Sequence, residues 1–445
     1  MENMLAVLLH FASAVAAGLQ SGAAAVDITP PQGVPMAGYY SIRYNQGTHD
    51  PLMAKAIVFE KDGAKAAVVA LDLIHVPAPI VERTRVMIEG LTSVPGAHVM
   101  ISATHSHTGP EMGSRLKNVD PVALAKLKAW LNQLPNRIAQ GVRQAEANLR
   151  PIEPKAAIAN EDSVSFIRRF RMTDGSVAWN PGKLNPKIAA PVGSIDPRVT
   201  SLFFGQMATY VNFANHLDTV SGLAFSADYA GALARIVDSA REAGHVTLFT
   251  LGCAGNINHI DVKRAEPQRG PAEAARIGAI LAGDVLKSQR EAKAMSITGP
   301  LRTRREIVPL ELAPFDAAEV ADARETVALY GTAKARPFYD QVKAFRVLEI
   351  ESRQGRPLEA EVQAITLGRE IAFVGLPGEI FVDLGNQIKA RSPYAITIVV
   401  SLANGALGYI PDRPAYREGA YEVVSSRVRE GSGEKLVEAA LRLLQ

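Results

Sequence analysis

The residues best suited to chemistry lie in Ser102-Ala103-Thr104-His105-Ser106-His107-Thr108-Gly109-Pro110. In an extended chain, side chains at i and i+2 share a face, so His105 and His107 can address one small volume. Neutral imidazole binds zinc readily. The alternative is two polar residues at a strand exit, and the spacing alone leaves both readings open.

Other segments carry similar potential. Phe213-Ala214-Asn215-His216-Leu217-Asp218-Thr219 ends an apolar strand in an imidazole, with Asp218 placed to orient it as a carboxylate behind a metal ligand. Gly375-Leu376-Pro377-Gly378-Glu379 sets a carboxylate at a helix start, where the helix dipole favours it with or without a metal. Asn404 to Tyr409 is a Gly-rich turn bearing a phenol. Gly252-Cys253-Ala254-Gly255-Asn256-Ile257-Asn258-His259-Ile260-Asp261 is dense in amides. Its backbone N–H groups and the side chains of Asn256 and Asn258 are candidates for steadying an oxyanion, or for capping their own turn. Arg168, Arg169 and Arg171 concentrate positive charge on one strand, for a polar or anionic substrate or for ordinary salt bridges.

The elements that must position these residues follow from periodicity. Ala66–Leu71, a helix over Pro79–Leu91 and His98–Ala103 form a strand–helix–strand unit, so the expected fold is α/β, with mixed β-sheets flanked by helices. Pro121–Asn148, Ala227–Ala243, Ala272–Lys287, Ile380–Arg391 and Glu434–Leu444 read as helices. Phe166–Trp179 reads as a hairpin about Thr173-Asp174-Gly175-Ser176, and Asn180–Val199 as a long loop. Ser201–Phe213 reads as one alternating strand. Strands are expected at Val246–Leu251, Arg302–Leu312, Val362–Leu367, Ile371–Leu376 and Ile396–Leu402, and Ala317–Leu348 as a solvated, charge-laced helical region. Asp72, His105, His216, Asn256, Glu379 and Asn404 all follow strand ends, where ligand sites of α/β sheets gather.

The chain has 445 residues, 47% of them hydrophobic and 21% charged, as expected of a globular body of one large unit or two lobes. Its net charge of +3 is spread along the chain without a Lys/Arg block, which argues against nucleic-acid binding. A single cysteine, Cys253, excludes an intramolecular disulfide framework and Cys-rich zinc sites, and reads as a small buried hydrophobe. Residues 1–23 hold an apolar stretch, Leu5 to Leu19, followed by small residues, similar to the core and cleavage zone of a secretory signal. Its positive start is missing, so the expected location is periplasmic or secreted, with cytoplasmic as the alternative. No segment is long and apolar enough for a convincing membrane span.

Taken in order, these segments resemble the catalytic domain of the neutral/alkaline non-lysosomal ceramidases. The matching pieces are Ala25-Val26-Asp27-Ile28-Thr29-Pro30, Ser102 to Pro110, Arg168, Phe213 to His216, Gly375 to Glu379, Asn404 to Tyr409 and Tyr416 to Tyr421. The matches span roughly residues 24–425, and residues 24–445 are expected to form one ceramidase-like zinc hydrolase domain. It implies zinc (Zn2+) held by His105, His216, Glu379 and Tyr409, with His107 facing the substrate and Arg168 and Tyr421 lining its pocket.

Two departures qualify the resemblance. The family's Gly-Asp-x-Ser-Pro turn carries a catalytic Ser, and here Asn258 stands in its place. The family's C-terminal immunoglobulin-like domain has no counterpart before Gln445. The expectation is a zinc-dependent hydrolase of an amide bond in a small-molecule or lipid-like N-acyl substrate, acting through a metal-activated water. His107 and Asn258 are its candidate catalytic residues, and Asn256 a further substrate contact. An esterase or deacetylase acting on a carbohydrate or lipid is the near alternative, and a binding protein that keeps the fold without turnover is the distant one.

Overall fold

The computed structural model describes residues 18–113 and 115–445. Most of the apolar stretch that resembles a leader therefore lies outside the described residues.

Three mixed sheets organise the chain. The first runs, in spatial order, Val99–Ala103, Ala64–Leu71, Met53–Lys61, Gln20–Asp27, Arg150–Pro151, with its first pair parallel. The second runs Val246–Leu251, Ala208–Phe213, Arg198–Phe204, Lys155–Asn160, Lys293–Ala294, again with the first pair parallel. The third runs Leu301–Leu310, Leu358–Leu367, Ile371–Gly375, Ile396–Val400, with its last pair parallel.

The three sheets share one core. Phe59, Phe204 and Phe373, one from each sheet, meet there, with Phe59 5.6 Å from Phe204 and 5.8 Å from Phe373 between ring centroids. Strands buried on both faces read as continuous apolar runs, which is why Val246–Leu251 and Ile371–Gly375 lack alternation. Helices cover the outer faces. Ala78–Leu91 and Pro121–Ala147 lie on the first sheet, Asp228–Ser239 and Pro271–Ser288 on the second, and Val382–Arg391 and Ser432–Leu443 on the third. Pro121–Ala147 starts where the Asp120 side chain accepts the Ala123 N–H, and it buries Leu127, Trp130, Leu134 and Ile138 at helical spacing. The mixed-sheet α/β class expected from the sequence is the class observed.

Three local readings differ. Ser201–Phe213 is two strands, Arg198–Phe204 and Ala208–Phe213, paired antiparallel about Gly205 at φ +59°, a backbone angle that favours glycine. The loop after Asn180 contains a strand, Ile188–Pro191, which joins the edge of the Arg169–Met172 and Val177–Trp179 hairpin. Ala317–Leu348 is two helices, Ala317–Ala328 and Phe338–Ser352, separated by Gly331 and Pro337. One face of the second helix is not solvated, since it walls the cavity described below.

The first strand also begins earlier than the Ala24 boundary. Gln20 to Ala23 pair with Glu60 to Ile57, and Leu19 is buried.

Candidate metal centre

Strand ends deliver the site. His105 follows Val99–Ala103, His216 follows Ala208–Phe213, and Glu379 follows Ile371–Gly375, so each sheet contributes one side chain. His105 Nε2 lies 3.0 Å from His216 Nε2, 3.2 Å from His107 Nε2 and 3.3 Å from Glu379 Oε2. His216 Nε2 is 3.5 Å from the same oxygen.

The second ring nitrogens explain what these contacts are. His105 Nδ1 donates to Ile74 O at 2.7 Å, His107 Nδ1 to Gly38 O at 3.1 Å, and His216 Nδ1 to Ala254 O at 3.1 Å. A carbonyl only accepts, so each Nδ1 carries the proton and each Nε2 presents a lone pair. Three lone pairs then face one another beside a carboxylate oxygen that is buried and receives no hydrogen bond. Arg168 Nη1 meets only the His216 lone pair, at 3.4 Å, and the rest of the set is unfavourable unless a further cation sits among it.

The spacing fits the same conclusion. Zinc with bonds of about 2.0–2.1 Å in a tetrahedral shell places neighbouring donors about 3.3 Å apart. His105, His107 and His216 could hold a metal ion, their donor atoms all lying within 4.8 Å of one another.

Backbone geometry supports these positions. His105 has φ +79°, which is costly for a side chain with a Cβ, and its N–H is held by Leu73 O at 2.9 Å. Gly38 sits at φ +99° against His107, where a Cβ would meet His107 O at 2.3 Å. At Gly255 a Cβ would meet the Glu379 carbonyl oxygen at 2.4 Å, so the turn must be glycine to let Glu379 approach.

Charge at the centre is strongly perturbed. Burial, then His105, lowers His107 to about 3. Burial, followed by Arg168 and His105, holds His216 well below its usual value. For Glu379, burial pushes the carboxyl up, but His105 and His216 outweigh it and hold the group below the usual carboxylate range. Burial raises the Tyr409 phenol, and Tyr409 pairs with Glu379 across a parallel two-residue ladder.

These groups sit in the wall of a cavity of about 1030 Å³. Arg168 and Tyr421 line it too. Arg168 is buried, donating from Nε to Glu422 Oε1 at 2.9 Å and from Nη2 to Gly255 O at 2.7 Å. The other arginines of that strand form ordinary salt bridges. Arg169 reaches Glu422 and Glu418, and Arg171 reaches Glu418.

No family model matches the chain, and no curated protein does. Solved structures do. The neutral ceramidase from Pseudomonas aeruginosa matches with a TM-score of 0.72 at 20% identity, over 96% of this chain and 74% of that one. A ceramidase complexed with C2 gives a TM-score of 0.70 at 18% identity, over 96% and 75% of the two chains. The chain has the neutral-ceramidase fold. The order of motifs that carried the resemblance thus holds at the level of architecture.

Within this ceramidase-like fold, several side chains lie elsewhere than the sequence reading put them. Asp218 does not orient His216. The Ala254 carbonyl does that, and Asp218 Oδ1 instead lies 3.2 Å from His259 Nδ1. Asn256 and Asn258 are buried and do not line the cavity among the described residues. Asn256 Oδ1 accepts the Val382 N–H at 2.9 Å, anchoring the start of helix Val382–Arg391. Asn258 Oδ1 accepts the Ile260 N–H at 3.0 Å, and its Nδ2 donates to Asn180 Oδ1 at 2.9 Å. The amide N–H groups of the glycine turn are also occupied, Gly255 by Ile380 O and Ile257 by Ala254 O. Cys253 is buried beside Gly385, and burial pushes its thiol up to about 11, which removes it as a nucleophile.

Asn180 was missed, although it lines the cavity next to Trp179. Its Oδ1 is taken by Asn258, so its Nδ2 is the atom left to donate. Trp179, Phe338 and Tyr421 stack into an aromatic wall, with Trp179 4.4 Å from Tyr421 and Phe338 5.5 Å from Tyr421. The spacing of Phe338, Val342, Phe345, Arg346 and Glu349 was a helical signal for that wall. Asn180 offered none.

Among the described residues, no helix is long and apolar enough to cross a membrane.

Proposed function

We propose that this protein is a zinc-dependent hydrolase that cleaves the amide bond of a small-molecule or lipid-like N-acyl substrate. The observation that carries the reading is the meeting of three Nε2 lone pairs with the Glu379 carboxylate in the wall of a large cavity. The ceramidase named among the solved structures makes an N-acyl amide the first substrate class to test.

His105, His216 and Glu379 would hold the metal, with Tyr409 beside Glu379 as the fourth ligand. A bound divalent metal supplies Lewis acidity and a water whose pKa falls to about 7. The other residues bind and orient. His107, less buried than His105 or His216, lines the cavity with its Nδ1–H fixed by Gly38 and a neutral Nε2 3.2 Å from His105 Nε2. It is the group for moving a proton to or from the substrate. Asn180 Nδ2 donates to a substrate oxygen, and the aromatic wall takes the apolar portion and excludes water. Arg168 keeps positive charge beside Tyr409 and Glu379.

The 3.2 Å contact between His105 Nε2 and His107 Nε2 favours a second reading, in which His107 is itself a ligand. Metal affinity of His107→Ala separates the two. Turnover lost with metal retained supports the substrate role, and loss of both supports ligation. Substrate class is tested on a panel of N-acyl and O-acyl compounds with the zinc-loaded protein. Cleavage confined to esters would replace the amidase reading with an esterase, and binding without turnover of any member would leave a binding protein.

A further inference from the structure

The cavity is lined by more guanidinium than carboxylate. Three of its arginines are neutralised, Arg427 by Glu349 at 2.6 Å, Arg269 by Asp218 at 3.6 Å and Arg168 by Glu422. Glu379 belongs to the metal centre. Arg353 spends its donors on the Arg356 and Pro357 carbonyls. Arg115 and Arg346 also line the cavity, and among the described residues neither forms an ion pair. Their Nε–H groups are buried and lack an acceptor. Glu111 acts on Arg115 through space while accepting the backbone N–H groups of Met112 and Gly113.

Both side chains are half-buried, and an anion with two oxygens is the partner that a planar guanidinium fork fits. Arg115, Arg346, Tyr40 and Phe345 all line the cavity. The Arg115 guanidinium lies 4.4 Å from the Tyr40 ring centre, and Tyr40 packs 6.1 Å from Phe345, the neighbour of Arg346.

The aromatic rings also connect this end to the metal centre. Tyr409 contacts Tyr421 at 5.4 Å, Tyr421 contacts Phe338 at 5.5 Å, and Phe338 contacts Tyr40 at 5.4 Å. An occupant would thus have its scissile group at His105, His216 and Glu379, and an apolar or planar stretch along the rings. Its far end would meet Arg115 and Arg346.

We propose that the substrate carries a carboxylate at the end remote from the scissile bond, read by Arg115 and Arg346. The proposal rests on the hydrolase reading for the position of the scissile group, but its test reads binding. Burial holds the Arg346 guanidinium below its usual value, which an incoming anion would reverse.

The test uses zinc-loaded protein and titration calorimetry. The probes are N-acetyl ω-amino acids of increasing chain length, each paired with its methyl ester. The acids should bind at least about tenfold tighter than the esters at the chain length that spans the wall. That preference should vanish in Arg115→Gln and in Arg346→Gln, and survive in part in Arg115→Lys, with all variants checked for an unchanged melting temperature. If either Gln variant fails to fold, the other and the Lys variant carry the comparison. Equal binding of acids and esters, no saturable binding of any acid, or an acid preference that persists in both Gln variants would overturn the proposal. Turnover of the same compounds is scored separately. Acid-selective binding without cleavage removes the hydrolase reading and leaves the anion site standing.

Discussion

Asn258 Nδ2 donates to Asn180 Oδ1 at 2.9 Å, so a buried amide of the Asn-rich turn supports a neighbour at the cavity wall. Backbone fixes the direction of that bond. The Ile260 N–H must meet Asn258 Oδ1, which turns Asn258 Nδ2 toward Asn180 and leaves Asn180 Nδ2 to face outward. Asn180 itself is clamped, its N–H donating to Arg168 O at 2.8 Å and its φ at +43°.

A first prediction follows for catalysis. Asn180→Ala and Asn258→Ala should each lower turnover by about tenfold to a hundredfold while zinc content stays unchanged. Because the two act through one amide, the double variant should be little worse than either single one. Additive losses in steady-state kinetics would show that Asn258 acts on its own.

The pair was only half legible in the sequence. The Asn-rich turn stood out, but its partner came from the stretch read as a loop, and pairing across 78 residues leaves no local signal. The meeting of His105, His216 and Glu379 was more legible, because each stops an apolar run and strand ends converge in such sheets. What could not be read was which carbonyl or carboxylate supports each imidazole. Asp218 lies two residues from His216, yet the Ala254 carbonyl holds that ring, since backbone direction after a strand depends on the neighbouring sheet. Likewise, Phe338–Ser352 looks solvated by charge content, but one stripe of it faces the cavity.

Glu422 is fully buried between Arg168 and Arg169, with both contacts at 2.9 Å. Removing it leaves two buried guanidiniums without their shared carboxylate. Glu422→Ala should therefore cost about 3–5 kcal/mol of stability, read as a lower denaturant midpoint. A loss below about 1 kcal/mol would place the pair effectively in solvent.

The titration of the site gives a signed pH dependence for the metal-free protein. His107 is lowered from its ordinary 6.5 to about 3, and His216 shifts the same way. Between those values the unfolded chain binds more protons than the folded one, so stability falls as pH drops below about 6.5. Urea midpoints should decline from neutral to mildly acidic pH, and by less in His107→Asn. A flat profile would contradict the burial of neutral imidazoles.

The start of the folded body can be tested by truncation. Leu19 O accepts the Ile152 N–H, Ser21 Oγ donates to Val58 O, and Asn148 Nδ2 donates to Ala23 O. A chain beginning at Ala24 should lose at least the burial of Leu19, about 2 kcal/mol, and melt lower. An unchanged melting temperature would contradict the role of that strand.

The most direct measurement is the metal content of the purified protein. The account predicts about one zinc per chain, lost in His105→Ala and in Glu379→Ala together with turnover. Wild-type protein that carries no divalent metal, and takes up none when zinc is supplied at neutral pH, would contradict it.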